Sequence, residues 1–131
     1  MNSAIRLGNV TIECPDARLL GEFYATITSG RISFASDAWV TVRCPGGRLD
    51  FQTAPGHRPP TWPDAQSSMQ FHLDFEVEDL DAAEPHVLAA GATRYDEQPN
   101  SHCRVYADPA GHPFCLSTSD VVETNSDPRQ G

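Results

Sequence analysis

The feature that most constrains this chain is that its second half repeats the pattern of its first. The segments "LGNVTIECPDARLLGEFYATI" (Leu7–Ile27) and "MQFHLDFEVEDLDAAEPHVLAAG" (Met69–Gly91) each read as a strand followed by a helix. Asn9 stands seven residues before Asp16, and His72 stands seven before Asp79. Apolar and polar residues alternate in both strands. Val10, Ile12 and Cys14 oppose Asn9, Thr11 and Glu13 in the first. Phe71, Leu73, Phe75 and Val77 oppose His72, Asp74 and Glu76 in the second. A period of two gives each strand one apolar and one polar face, and the following helix is the nearest cover for the apolar one.

The helices suit that task. Asp16 is placed to cap the first, whose stripe is Leu20, Phe23, Tyr24 and Ile27, with Gly30 as its stop. Asp79 or Asp81 caps the second, with Leu80, Ala83, Val87 and Ala90 as stripe and Gly91 as terminator. Pro85 predicts a kink or a late start, because it removes a backbone donor and crowds the preceding turn. Three extended runs follow each helix: Arg31–Ala35, Ala38–Cys44 and Arg48–Thr53, then Ala92–Tyr95, His102–Ala107 and Pro113–Thr118. "CPGG" and "DPAG" join the last two strands of each half as turns. The expected fold is therefore α+β. Two βαβββ repeats, about residues 5–53 and 69–118, form curved mixed sheets around a central cleft within one domain spanning residues 1–118. A Pro-rich connection fills residues 54–68, and a polar tail follows over residues 119–131.

Composition narrows the partners. The net charge of −9 repels phosphate backbones, so nucleic acid is not expected. No apolar run is long enough for a membrane span and no signal pattern opens the chain. The four cysteines are widely spaced with no CxxC pair, which points to thiols in a reducing cytoplasm.

Matching the apolar positions of the two final strands sets Asp50 against Cys115. The polar faces then present Asn9, Asp50, His72 and Cys115, with Thr11, Gln52, Asp74, Glu76 and Ser117 deeper or nearby. A desolvated carboxylate, Asp74 or Glu76, beside His72 is the expected general base of any catalytic role. Trp39, Trp62, Phe34 and Tyr106 serve either as aromatic walls for a flat ligand or as core. His57, His86, His102 and His112 read as solvated or backbone-bonded side chains. The run "DPAGHPFC" (Asp108–Cys115) offers acid, histidine and thiol together, yet its Pro and Gly fit a hairpin turn better than a metal loop.

Through "HLDFEVEDLDAA", "FQTAPGHRPPTWP" and "RVYADPAGHPFCL" the chain resembles the vicinal oxygen chelate superfamily over Ile5 to Ser117. That is the glyoxalase, bleomycin-resistance and extradiol-dioxygenase group, and within it the small glyoxalase-like proteins. The resemblance implies a homodimer and a four-position metal site, which here holds Asn9, Asp50, His72 and Cys115. Only His72 keeps the usual histidine, so no cofactor is expected. A divalent ion (Zn, Mn, Fe or Ni), if present, would take Asp50, His72 and Cys115, a set that suits zinc better than the harder ions. Three functions follow. The first is a small organic molecule held in the cleft without an intact metal site. The second is a lyase, isomerase or dioxygenase using a divalent ion or His72 with a carboxylate. The third is a homodimeric partner protein that docks through the Pro-rich connection.

Overall fold

A computed structural model describes residues 4–118, and the polar tail lies outside the described residues. The chain divides between His57 and Arg58 into two compact units. The first holds β1 (Val10–Cys14), α1 (Ala17–Thr28), β2 (Arg31–Ala35), β3 (Trp39–Cys44) and β4 (Gly47–Thr53). The second holds β5 (Leu73–Val77), α2 (Leu80–Ala90), β6 (Thr93–Arg94), β7 (Cys103–Ala107) and β8 (Pro113–Thr118). Each unit is βαβββ. Its sheet runs in the order β1-β4-β3-β2 or β5-β8-β7-β6. The first and last strands of each unit pair in parallel and the other neighbours antiparallel.

In the first unit Asp16 caps α1 by accepting from the Arg18 and Leu19 amides. Such a cap is worth about 1 kcal/mol. The expected stripe faces the sheet: Leu20, Phe23 and Tyr24 are buried and Ile27 is half-buried. Tyr24 stacks on Phe51 with centroids 5.4 Å apart, over a floor of Val40 and Val42. Gly21 lets the helix sit this close, since a Cβ there would stand 2.5 Å from Val40 Cγ1. The helix stops one residue earlier than expected. Ser29 takes the left-handed conformation (φ 57°), while Gly30 lies where a Cβ would meet the Arg43 carbonyl at 2.6 Å. Gly30 thus serves the approach of helix end to strand, and not the turn itself.

In the second unit Asp79 is the cap and Gly91 the terminator. The helix starts at Leu80, so Pro85 does not delay it; Pro85 is accommodated in the second turn. The apolar stripe is thin. Leu80 and Val87 are buried, whereas Ala83 and Ala90 are only half-buried. A polar clamp supplements it. Glu84 accepts from Tyr106 Oη (2.7 Å) and pairs with Arg94 (3.2 Å) and Arg104 (3.4 Å). Arg104 also reaches Asp81 at 2.5 Å. Tyr106 is fully buried and stacks on Phe114, so it belongs to the core and is not an aromatic wall. Burial, then Glu84, pushes its phenol well above the usual range.

Strand β5 begins later than the alternation implies. Gln70 has φ 62°, the Phe71 amide bonds the Met69 carbonyl, and Phe71 is 89% exposed. The left-handed step at Gln70 takes Phe71 out of the apolar row. Elsewhere the pattern of each face holds. Leu73, Phe75, Phe114 and Leu116 lie in paired positions on the helix side, and Asp74, Glu76, Cys115 and Ser117 on the other.

Candidate functional site

The candidate side chains sit on the helix-free face of each sheet. In the first unit the ladder pairs Thr11 with Asp50 and Asp50 with Thr41. Asn9, just before β1, donates from Nδ2 to Thr11 Oγ1 at 2.9 Å. In the second unit the ladder pairs Asp74 with Cys115, and His72, just before β5, lies 3.3 Å from Asp74 through Nε2 and Oδ2. The two units therefore present the same contact in different chemistry: amide on hydroxyl in one, imidazole on carboxylate in the other.

Asp50 is fully buried and saturated. Arg48 donates to it through Nε (2.8 Å) and Nη2 (2.7 Å), and Trp39 Nε1 donates at 2.8 Å. The Arg48 guanidinium, with Trp39 and Thr41 adding to it, holds the carboxyl below the usual range despite burial. Trp39 is thereby fixed by its indole N–H and half-buried. Gln52 and Thr11 are exposed.

Among the described residues, one group of three side chains could hold a metal ion: His72, Asp74 and Cys115, with ligand atoms within 4.8 Å of one another. Its carboxylate is Asp74 and not Asp50. The Asp50 oxygens, in the first unit, face a guanidinium and an indole. His72 and Asp74 are exposed and Cys115 is buried. Ligand atoms around tetrahedral zinc stand about 3.5 Å apart, given bonds of about 2.0–2.3 Å. His72 and Asp74, at 3.3 Å, already meet that spacing, and the rest of the group would close by about 1 Å. One thiol, one imidazole and one carboxylate fit zinc with an open position; they do not fit an octahedral site for manganese, iron or magnesium.

Ser117 lies on the same face, paired in register with Glu76 and Cys103. It is fully buried, and its Oγ has no hydrogen-bond partner among the described residues. Glu76 is exposed. Trp62 is half-buried and stands edge-on to Tyr95, with centroids 5.0 Å apart.

The "DPAGHP" segment is a hairpin turn. Buried Asp108 accepts from the Ala110 and His112 amides (2.9 and 3.0 Å), and His112 Nδ1 lies 2.8 Å from its Oδ2. The acid and histidine of this motif hold each other, while its cysteine stands with His72. Of the other histidines, His86 and His102 are exposed and His57 is half-buried. Reading the sequence missed Arg48 as the partner of Asp50. The signal was there: two residues apart in a strand, they share a face.

The glyoxalase-like domain family matches residues 9–117. No curated protein matches the sequence. Among solved structures, a glyoxalase/bleomycin resistance protein from Albidiferax ferrireducens T118 superposes with a TM-score of 0.61 at 19% identity, covering 86% of this chain and 97% of that one. The genomically encoded fosfomycin resistance protein FosX from Listeria monocytogenes gives 0.67 at 15%, covering 88% and 91%. The oxidase ChaP-H2 gives 0.64 at 20%, covering 88% and 94%. At these identities the likeness is one of fold. No helix among the described residues is long and apolar enough to cross a membrane. With two βαβββ units and a family match across most of its length, the chain belongs to the glyoxalase-like domain family.

Proposed function

We propose that this protein binds a small polar organic molecule on the helix-free face of its second sheet, through His72, Asp74, Cys115 and Ser117. The observation that carries this reading is the buried Ser117 hydroxyl, which has no hydrogen-bond partner among the described residues. A buried hydroxyl without a partner costs roughly 1–3 kcal/mol, and a polar group arriving on that face would recover it. The four-position hard-metal site of the superfamily is disfavoured here, because the Asp50 oxygens are engaged by Arg48 and Trp39 and Asn9 offers only a neutral amide oxygen. The same proposal includes a cytoplasmic homodimer that takes no nucleic acid. It rests on the cysteine spacing, the family resemblance and the net charge of −9.

The test is a thermal-shift screen of small polar compounds, since a ligand that binds only the folded chain raises its melting temperature. Ser117→Ala is then compared with wild type. The ligand-free variant should be as stable or up to about 1 kcal/mol more stable, because it loses an unsatisfied group. Its ligand affinity should fall by about tenfold. A full screen without hits, or a hit indifferent to Ser117→Ala, overturns the reading.

A second reading, an enzyme of lyase, isomerase or dioxygenase type, is favoured by one observation, the convergence of His72, Asp74 and Cys115. These three would hold zinc, which when bound supplies a Lewis acid and an acidified water. His72 and the carboxylates of Asp74 and Glu76 would then orient substrate and move protons. Zinc competition against a chromophoric chelator decides: one equivalent retained by wild type and lost on His72→Ala favours the enzyme reading over the metal-free one.

A further inference from the structure

All nine cationic side chains of this acidic protein are arginines, and three of them stand in one row across the first sheet. Arg31 of β2 is the ladder partner of Arg43 of β3, and Arg43 is the partner of Arg48 of β4. Directly paired residues point to the same side, so the row lies on the helix-free face with Thr41 and Asp50. Neighbouring strands are about 4.8 Å apart, so the three Cα atoms span about 10 Å. Like charges set directly opposite one another repel. The β-bulge between Ile32 and Phe34 leaves the Arg31–Arg43 pairing in place while bringing Phe34 opposite Thr41, on this same face.

Only Arg48 has a carboxylate, and that carboxylate is spent on its Nε and Nη2 edge. Arg31 and Arg43 are exposed and make no ion pair with any described residue. Beyond Arg48 the row leads toward β1, whose first ladder pair is Val10 with Leu49; the residue one step back is Asn9, a neutral amide. Phe34, 55% exposed, and Trp39 add aromatic surface to the face.

We infer that the Arg31–Arg43–Arg48 row is a binding site for the anionic group, phosphoryl or carboxylate, of a small aromatic molecule. This site lies on the first sheet and goes beyond the reading proposed for the second. Guanidinium groups receive such oxyanions through paired N–H donors, and the buried Asp50 holds Arg48 in a fixed plane for that purpose. A row about 10 Å long fits one such group and not a polymer, and a chain of net charge −9 repels long polyanions.

The experiment is calorimetric titration of the full chain with phenyl phosphate, and with benzyl alcohol as the uncharged comparison. Wild type should bind phenyl phosphate, bind it more weakly as salt rises, and prefer it over benzyl alcohol by at least about tenfold. Arg31→Gln/Arg43→Gln should abolish that preference. If the double variant does not fold, Arg43→Gln alone should reduce it about threefold. Equal affinity in wild type and variant, or tighter binding of an oligonucleotide than of phenyl phosphate, overturns the site.

Discussion

Replacing Asp50 by Asn keeps the shape of the side chain and removes its charge. Three donors converge on the carboxylate: Arg48 Nε, Arg48 Nη2 and Trp39 Nε1, all at 2.7–2.8 Å. An amide oxygen can retain the indole and one guanidinium N–H. Its NH2 group then faces the other guanidinium nitrogen donor to donor. The loss is one charge-assisted hydrogen bond and the attraction behind a second, nominally about 3 kcal/mol. The Arg48 side chain is 35% exposed and can turn to water, which lowers the expected cost to about 2 kcal/mol. For a domain of this size that is a fall in Tm of roughly 6–10 °C.

The effect also has a required pH dependence. The folded state holds the Asp50 carboxyl below its usual range, chiefly through Arg48. Between the folded and unfolded pKa values the unfolded chain binds more protons, so stability rises with pH there. The Asp50 contribution is therefore complete above the ordinary carboxyl range near 4 and is lost as pH falls through the depressed folded value. Urea unfolding followed by tryptophan fluorescence at pH 7 and about pH 3 should show wild type and Asp50→Asn well separated at pH 7 and converging in acid. A difference under about 0.5 kcal/mol at pH 7, or one that persists unchanged in acid, refutes the reasoning.

Other outcomes are equally specific. Gly21→Ala should destabilise by about 1–2 kcal/mol, because the 2.5 Å approach to Val40 Cγ1 outweighs the helix propensity gained, and Val40→Ala in the same chain should recover part of the loss. Glu84→Ala should cost about 1–3 kcal/mol in chemical denaturation, since it removes the acceptor of the buried Tyr106 hydroxyl and unties Arg94 from α2, while Arg104 stays held by Asp81. Tyr106→Phe, which removes only the hydroxyl, should cost less, about 1 kcal/mol. Asp108→Ala should weaken the β7–β8 turn, visible as faster amide exchange at Ala110 and His112, whose N–H groups it accepts.

The architecture was legible because local signals agreed. Alternation located the strands, Asp16 and Asp79 announced the helices, and two Pro-Gly turns closed the hairpins. Legibility failed where one backbone angle or one neighbour decided the outcome. Phe71 fits the apolar period, but the left-handed Gln70 before it turns it to solvent. Ser29, not Gly30, ends α1, because the sterically crowded position lies one residue later. Matching Asp50 with Cys115 gave the register of the polar faces, and the ladders pair them with Thr11 and Asp74 respectively. Which carboxylate is already satisfied was only half legible: Arg48 stands two residues along the same strand, whereas Trp39 reaches Asp50 from the neighbouring strand and shows only once β3 and β4 are in register. The arginine row was hidden for a related reason: it exists only once three strands are aligned.

The matched contacts of Asn9 with Thr11 and His72 with Asp74 show one scaffold bearing two vocabularies. The backbone before each opening strand delivers two side chains to each other whatever their protonation chemistry. Writing Asn9→His and Thr11→Asp into the first unit would transplant an imidazole–carboxylate couple beside residue 50. The repeated unit thus leaves a second socket, where an imidazole–carboxylate couple can be written into one half while the other keeps its own.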